Sequence, residues 1–180
     1  MKDVSIKLHT PMNSLKELLQ EQVRDLYDAK FQYQTKLDAM IGCATDRRLR
    51  DVLQEVAEDV TTGLILLCDV CDELEVRPEG VTCEAMRGLI RETNAALGDR
   101  GDTATIDANL IANAQRIAHY EIAGFGTARA FARCLGLRHV ADVLGELNAT
   151  AKKHDRALTL VATGGWFQTG INVEALHANA

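Results

Sequence analysis

Four stretches of this sequence repeat apolar residues in three- and four-residue steps over many turns, and nowhere does strand-like alternation last more than a few residues. A chain patterned this way is restricted to long amphipathic helices packed on one another. The first runs from about Leu15 to Ile41, with Leu15, Leu19, Val23, Leu26, Tyr33, Leu37 and Met40 on one face and Asn13 or Ser14 as N-cap. "GCATD" breaks it, and Thr45 or Asp46 opens a second helix carrying Leu49, Val52, Val56, Val60, Leu67, Val70 and Leu74. Pro78 and Gly80 end that run. Thr82 can cap a short helix, Cys83 to Leu97, before the polar loop "GDRGDT". A third long helix is expected from about Asp107 to Leu135, closed by Gly136, and a fourth from about Val140 to Ala162, stopped by Gly164 and Gly165. Short links within each pair and a long connection between the pairs predict an all-α four-helix bundle with one crossover, the short helix lying inside it. One domain is expected over residues 1–165, with 166–180 as a tail.

Aromatic residues are only 4% of the 180, whereas 47% are hydrophobic, so the core must be built from Leu, Val, Ile and Ala, which suits close-packed helices. A net charge of −6 argues against a nucleic-acid binder, which needs a basic face. No apolar run reaches membrane-spanning length, and "MKDVSIKLHTPMNS" lacks the apolar region of a signal peptide, so a cytoplasmic protein is expected. The cysteines, Cys43, Cys68, Cys71, Cys83 and Cys134, are odd in number and scattered. Cys68 and Cys71 form C-x-x-C inside a helical run without a second pair, and read as small buried hydrophobes rather than zinc ligands. No Gly-rich phosphate loop or nucleophilic serine motif is present.

Each long helix interrupts its apolar stripe with one ionisable residue near its middle. Lys30 falls between Leu26 and Tyr33; Asp59 falls among Leu49, Val52, Val56 and Gly63; Glu121 among Ala114, Ala118, Phe125 and Ala128; His154 among Val140, Leu144, Leu147, Leu158 and Val161. Singly, such residues snorkel to water or hydrogen-bond in the core. Four at similar heights predict an interior polar cluster, which must be paired internally or neutralised by an ion.

"DLYDA", "CEAMRGLI" and "AQRIAHYEIAGFGTARAFARCLG" resemble the bacterial ferritin-like family of stress-associated YciF/YciE proteins, also called DUF892, over about Ser14 to Ala162 and weakly in "INVEA". The resemblance implies a ferritin-like bundle, a homodimer, and a site in which carboxylates of four helices hold two iron or manganese ions. The chain departs from that pattern where the ligands should be. After the tyrosine, the family reads Ala-Glu-Lys-Gln and this chain reads Ala29-Lys30-Phe31-Gln32. Asp59 stands for a glutamate, Ala118 replaces another, and Thr150 and Ala151 align with a Glu-Glu pair, with His154 one turn on.

Two functions follow as expectations. In the first, the dinuclear site is lost, no cofactor binds, and the Lys30 ammonium occupies the cation's place and pairs with Asp59 and Glu121; the role is then structural, regulatory or partner-binding rather than enzymatic. In the second, the protein reacts with oxygen or peroxide or handles iron through iron or manganese, held by Asp59, Glu121 and His154 with Glu58 and His119 as further candidates. A mononuclear site of Asp59, Glu121 and His154 is opposed by the positive charge of Lys30. His119 beside Tyr120 reads as a hydrogen-bonded packing residue, because adjacent helical positions point about 100° apart. Trp166 and Phe167 are expected to pack on a neighbour or on the chain's own bundle.

Overall fold

The computed structural model describes residues 12–176; the opening residues read as lacking a signal sequence, and the last four of the expected tail, lie outside the described residues. Helix α1 (Leu15–Cys43) starts at Ser14, whose hydroxyl accepts from the Glu17 N–H at 3.1 Å. Helix α2 (Arg47–Glu73) starts at Asp46, whose carboxylate accepts from the N–H groups of Arg48 and Leu49. These caps satisfy backbone donors that a helix leaves orphaned at its first turn. Helix α3 (Glu84–Leu97) is capped by the Cys83 sulfur rather than by Thr82. Helices α4 (Thr103–Cys134) and α5 (Arg138–Thr163) are joined through Gly136, which takes the left-handed φ of +74° that the turn requires.

Two hairpins result, α1–α2 and α4–α5, and each packs across the other, while α3 lies in the crossover against α1 and α4. This is the expected bundle with one long connection. Buried leucine, valine and alanine fill it, and among the described residues no helix is long and apolar enough to cross a membrane.

One boundary differs from expectation by a full turn. Helix α4 begins a turn early, because Asp102 caps it by accepting from the Thr105 N–H at 2.7 Å. Asp107 is therefore not a cap of its own helix. It is 1% exposed, and its carboxylate accepts from the Thr45 N–H (3.0 Å), the Thr45 hydroxyl (2.7 Å) and the Asp46 N–H (2.7 Å), tying α4 to the link between α1 and α2.

The described part of the expected tail, residues 166–176, folds onto the bundle. Strands β1 (Gly164–Gly165) and β2 (Gln168–Thr169) form a hairpin, followed by α6 (Ile171–Leu176), whose Ile171 is fully buried with Leu158, Val161 and Ala162. The chain crosses itself so closely that a Cβ on Gly170 would lie 2.2 Å from the carbonyl carbon of Thr163. Arg48 holds the segment down, donating to the Thr169 carbonyl at 2.7 Å while pairing with Asp46 at 2.6 Å and Glu174 at 3.1 Å.

Buried hydrophobic residues form two clusters rather than one. One end is centred on Tyr33, Val60, Ile117 and Leu158, the other on Leu26, Leu67, Phe125 and Leu147. Between them, in helix order, lie Lys30, Gly63 and Glu121.

Replacing the buried Asp107 with Ala removes the acceptor for the half-buried N–H groups of Thr45 and Asp46, and should lower the urea unfolding free energy by about 1–3 kcal/mol. Asp107→Asn, which keeps an acceptor oxygen, should lose less; equal stability of wild type and Asp107→Ala would show that water replaces the carboxylate.

Candidate functional site

The layer between the two clusters holds a buried charge pair. Lys30 is 3% and Glu121 2% exposed, and the Lys30 Nζ lies 2.9 Å from Glu121 Oε1. No donor meets that oxygen in hydrogen-bonding alignment, so the contact is Coulombic rather than a well-formed hydrogen bond. The same ammonium lies 5.6 Å from the centroid of the Phe125 ring, within cation–π range.

The lysine reaches this position because α2 gives way to it. A Cβ on Gly63 would stand 3.0 Å from both Cδ and Cε of Lys30 and 3.1 Å from Leu147 Cδ2, so a glycine in mid-helix makes the channel for the lysine stem. One turn along α1, burial and the Glu121 carboxylate together push the Tyr33 phenol well above its ordinary range and keep it neutral.

A second pair lies beside the first. His154, 4% exposed, places Nε2 2.9 Å from Asp59 Oδ2, and Lys153 stands 3.4 Å from the same oxygen while contacting Glu55 at 2.5 Å. Asp59 itself is only half-buried. The structure thus differs from the expected pairing: Lys30 meets Glu121, and Asp59 pairs with His154 and Lys153. The reason is the phase of α2, whose buried face runs through Leu49, Leu53, Val56, Val60, Gly63 and Leu67, leaving Val52 and Asp59 at its edge.

The other residues weighed as metal ligands do not converge. Glu58 is exposed, and His119, two-thirds exposed, faces Asp155 at 3.2 Å. Ala118 and Ala151, where the resemblance implies glutamates, are buried methyl groups. Among the described residues no group of three or more His, Cys, Asp or Glu side chains is arranged to hold a metal ion. This donor set, one carboxylate facing an ammonium, does not fit a dinuclear centre, which needs several anionic oxygens.

Sequence patterning missed a third network. Tyr120 donates to Asp25 Oδ2 at 2.5 Å, and its hydroxyl lies 2.9 Å from the Cys83 sulfur. Asp28 accepts from the Cys83 N–H at 2.8 Å and from the Gln32 amide, seating the start of α3 on α1. Burial lifts the Cys83 thiol to about 11, so it is a packing and capping group and not a nucleophile. The i, i+3 spacing of Asp25 and Asp28 was the available signal. The remaining cysteines are free thiols, Cys71 among them, lifted to about 11 by burial.

Two outcomes follow. Glu121→Ala strands the Lys30 charge and should cost about 3–5 kcal/mol in chemical denaturation, whereas Lys30→Met with Glu121→Leu should fall within about 1 kcal/mol of wild type or exceed it. If the single variant matches the double, the pair carries no coupling. Burial alone would raise the Asp59 carboxyl, but the His154 hydrogen bond and the Lys153 charge outweigh it and hold it below the ordinary carboxylate range. Its contribution is therefore complete above the unfolded carboxyl value and lost as pH falls through the lower folded value. Urea midpoints followed from neutral pH down to about pH 2 should drop less steeply for Asp59→Asn than for wild type; parallel profiles would remove this pair from the acid limb.

Residues 14–169 match the family described as a domain of unknown function, DUF892. Protein YciF of Escherichia coli (strain K12) is 31% identical over 153 residues, which cover 84% of this chain and 92% of that protein. The crystal structure of the E. coli stress protein YciF aligns with a TM-score of 0.79 at 29% identity, over 82% of this chain and 94% of that one. YcfI of Rhodopseudomonas palustris, provisionally given a structural role, aligns with a TM-score of 0.79 at 34% identity, over 89% and 99%. The fold is all-α and ferritin-like, and on the strength of this family match and these relatives the chain belongs to the DUF892 family of YciF-like proteins.

Proposed function

We propose that this protein is a stress-associated, non-enzymatic member of its family in which a lysine ammonium stands where a metal cation would neutralise the bundle's interior. The Lys30–Glu121 pair at 2.9 Å, with both side chains almost fully buried, carries this reading. A carboxylate facing the middle of a helical bundle must be neutralised, by an ion or by a fixed charge. Lys30 supplies the fixed charge, and Gly63 leaves the space for it. The chain then closes whether or not metal is supplied. A structural or partner-binding role in the cytoplasm suits such a bundle better than oxygen or peroxide chemistry, because an ammonium beside the remaining glutamate repels a second cation. The relatives' names, a stress protein and a protein with a provisional structural role, are consistent with this reading.

The test is metal content by plasma mass spectrometry, on protein expressed with iron and manganese supplied and purified without chelator. Essentially no transition metal per chain, with a melting temperature indifferent to EDTA, is the expected result; about two ions per chain would overturn the proposal. In the same assay Lys30→Glu should lose stability and regain it when manganese(II) is added, since it faces one buried carboxylate with another. A variant that is destabilised and unresponsive to metal would count against a replaced cation.

A further inference from the structure

The C-x-x-C pair of α2 takes no part in the buried charge layer, and the fold arranges it as a dithiol. Cys68 and Cys71 are three helical positions apart, which puts their Cα atoms about 5 Å from one another, inside the span of roughly 4.4–6.8 Å that a disulfide bridges. Their burial differs. Cys68 is half-buried, whereas Cys71 is fully buried in the cluster of Leu26, Leu67 and Phe125. Helix α1 adds two groups. Burial first and the Cys68 thiol second push the Tyr27 phenol above its ordinary range, which sets its hydroxyl against that thiol. The same phenol walls an open cleft of about 320 Å³ with Phe31 and Val81, so a small solute comes within one side chain of Cys68. One turn before it, Arg24 donates to the Glu79 carbonyl at 2.6 Å, and its Nε is buried with no hydrogen-bond partner among the described residues. Burial lifts the Cys71 thiol to about 11, and the Arg24 charge works against that rise, favouring the thiolate as the proton leaves.

We infer that Cys68 and Cys71 are an oxidation site for hydrogen peroxide and other small hydroperoxides, closing to a reversible disulfide. Cys68, the reachable thiol, attacks one peroxide oxygen as its thiolate. An S–O bond forms, the O–O bond breaks, and the departing hydroxide takes up the thiol's proton as water. The sulfur is oxidised by two electrons to a sulfenic acid while the peroxide is reduced. Cys71 then attacks the Cys68 sulfur: the S–S bond forms, the S–O bond breaks, and the hydroxyl leaves with the Cys71 proton as a second water. The bridge forms under strain. Cβ atoms three positions apart on a helix are about 5–6 Å from one another and a disulfide needs about 3.8 Å, so the last turns of α2 must tighten. A strained bridge is the labile kind, reduced by two equivalents of a cellular thiol, which restores the dithiol and carries away the oxidising equivalents as its own disulfide.

Residues 51–77 contain no lysine or arginine before Arg77, so one tryptic peptide carries both cysteines and no other. When the folded, full-length protein is treated with hydrogen peroxide and then alkylated with iodoacetamide, this peptide should appear unalkylated and two hydrogens lighter, and dithiothreitol should restore it. In Cys71→Ala, dimedone should label Cys68 instead. In Cys68→Ala, the buried Cys71 should react at least about tenfold more slowly than Cys68 does in the wild type. The exposed Cys134 reports that the oxidant is active. A pair still fully alkylated under peroxide that oxidises Cys134 would overturn the inference. So would Cys68 carried to a sulfinic acid with Cys71 still alkylated, or a bridge that closes only when urea has unfolded the chain.

Discussion

The contact between Lys30 and Glu121 is the constraint around which the middle of this bundle is arranged. An isolated buried ion costs several kcal/mol to desolvate, and the attraction of an opposite charge at 2.9 Å offsets this only while both groups stay close and dry. Closeness requires α1 and α4 to meet at this level, and dryness requires α2 and α5 to cover it. The covering residue on α2 is accordingly the smallest available, Gly63, because the lysine stem already takes the volume that a larger side chain would fill. The two hydrophobic clusters above and below are the consequence: the apolar core stops where the charge pair begins.

Much of this was legible in the sequence, for reasons that differ by residue. Lys30 stands out because a charged side chain between Leu26 and Tyr33 contradicts the stripe around it. Glu121 and His154 were found the same way. Asp59 was misplaced because α2 offers two overlapping apolar registers, one through Val52 and one through Leu53, and only packing against α1 and α5 selects the second. Gly63 carried no signal, since a mid-helix glycine reads as a weakness until the Lys30 stem lying across it is seen.

The ends of the elements were less legible, and for a common physical reason: their determinants are distant in sequence. Asp102 and Asp107 both precede an apolar run and both look like caps. What separates them is that Asp107 meets Thr45 and Asp46, more than a helix away. The segment "GGWFQTGI" gives breaker residues and no alternation, because strands of two residues are too short to show a period. Its docking depends on Arg48 and on the cavity that receives Ile171, neither of which is local.

The two ionic pairs also explain how a bundle with so even a core keeps its register. Short links fix α1 against α2 and α4 against α5, but the two hairpins are joined only by the long crossover that carries α3. Stripes of leucine, valine and alanine tolerate a shift of one turn along each other, since one apolar contact replaces another. Lys30 with Glu121 joins α1 to α4, and Asp59 with His154 joins α2 to α5, so each pair crosses from one hairpin to the other. A slip of one turn would separate both pairs and leave Lys30 and Glu121 buried and unpaired, a penalty hydrophobic contacts cannot make good. Asp107 adds a third crossing point at the end of the bundle. Three contacts between polar side chains, each joining one hairpin to the other, thus select a single register from the several that the apolar stripes alone would allow.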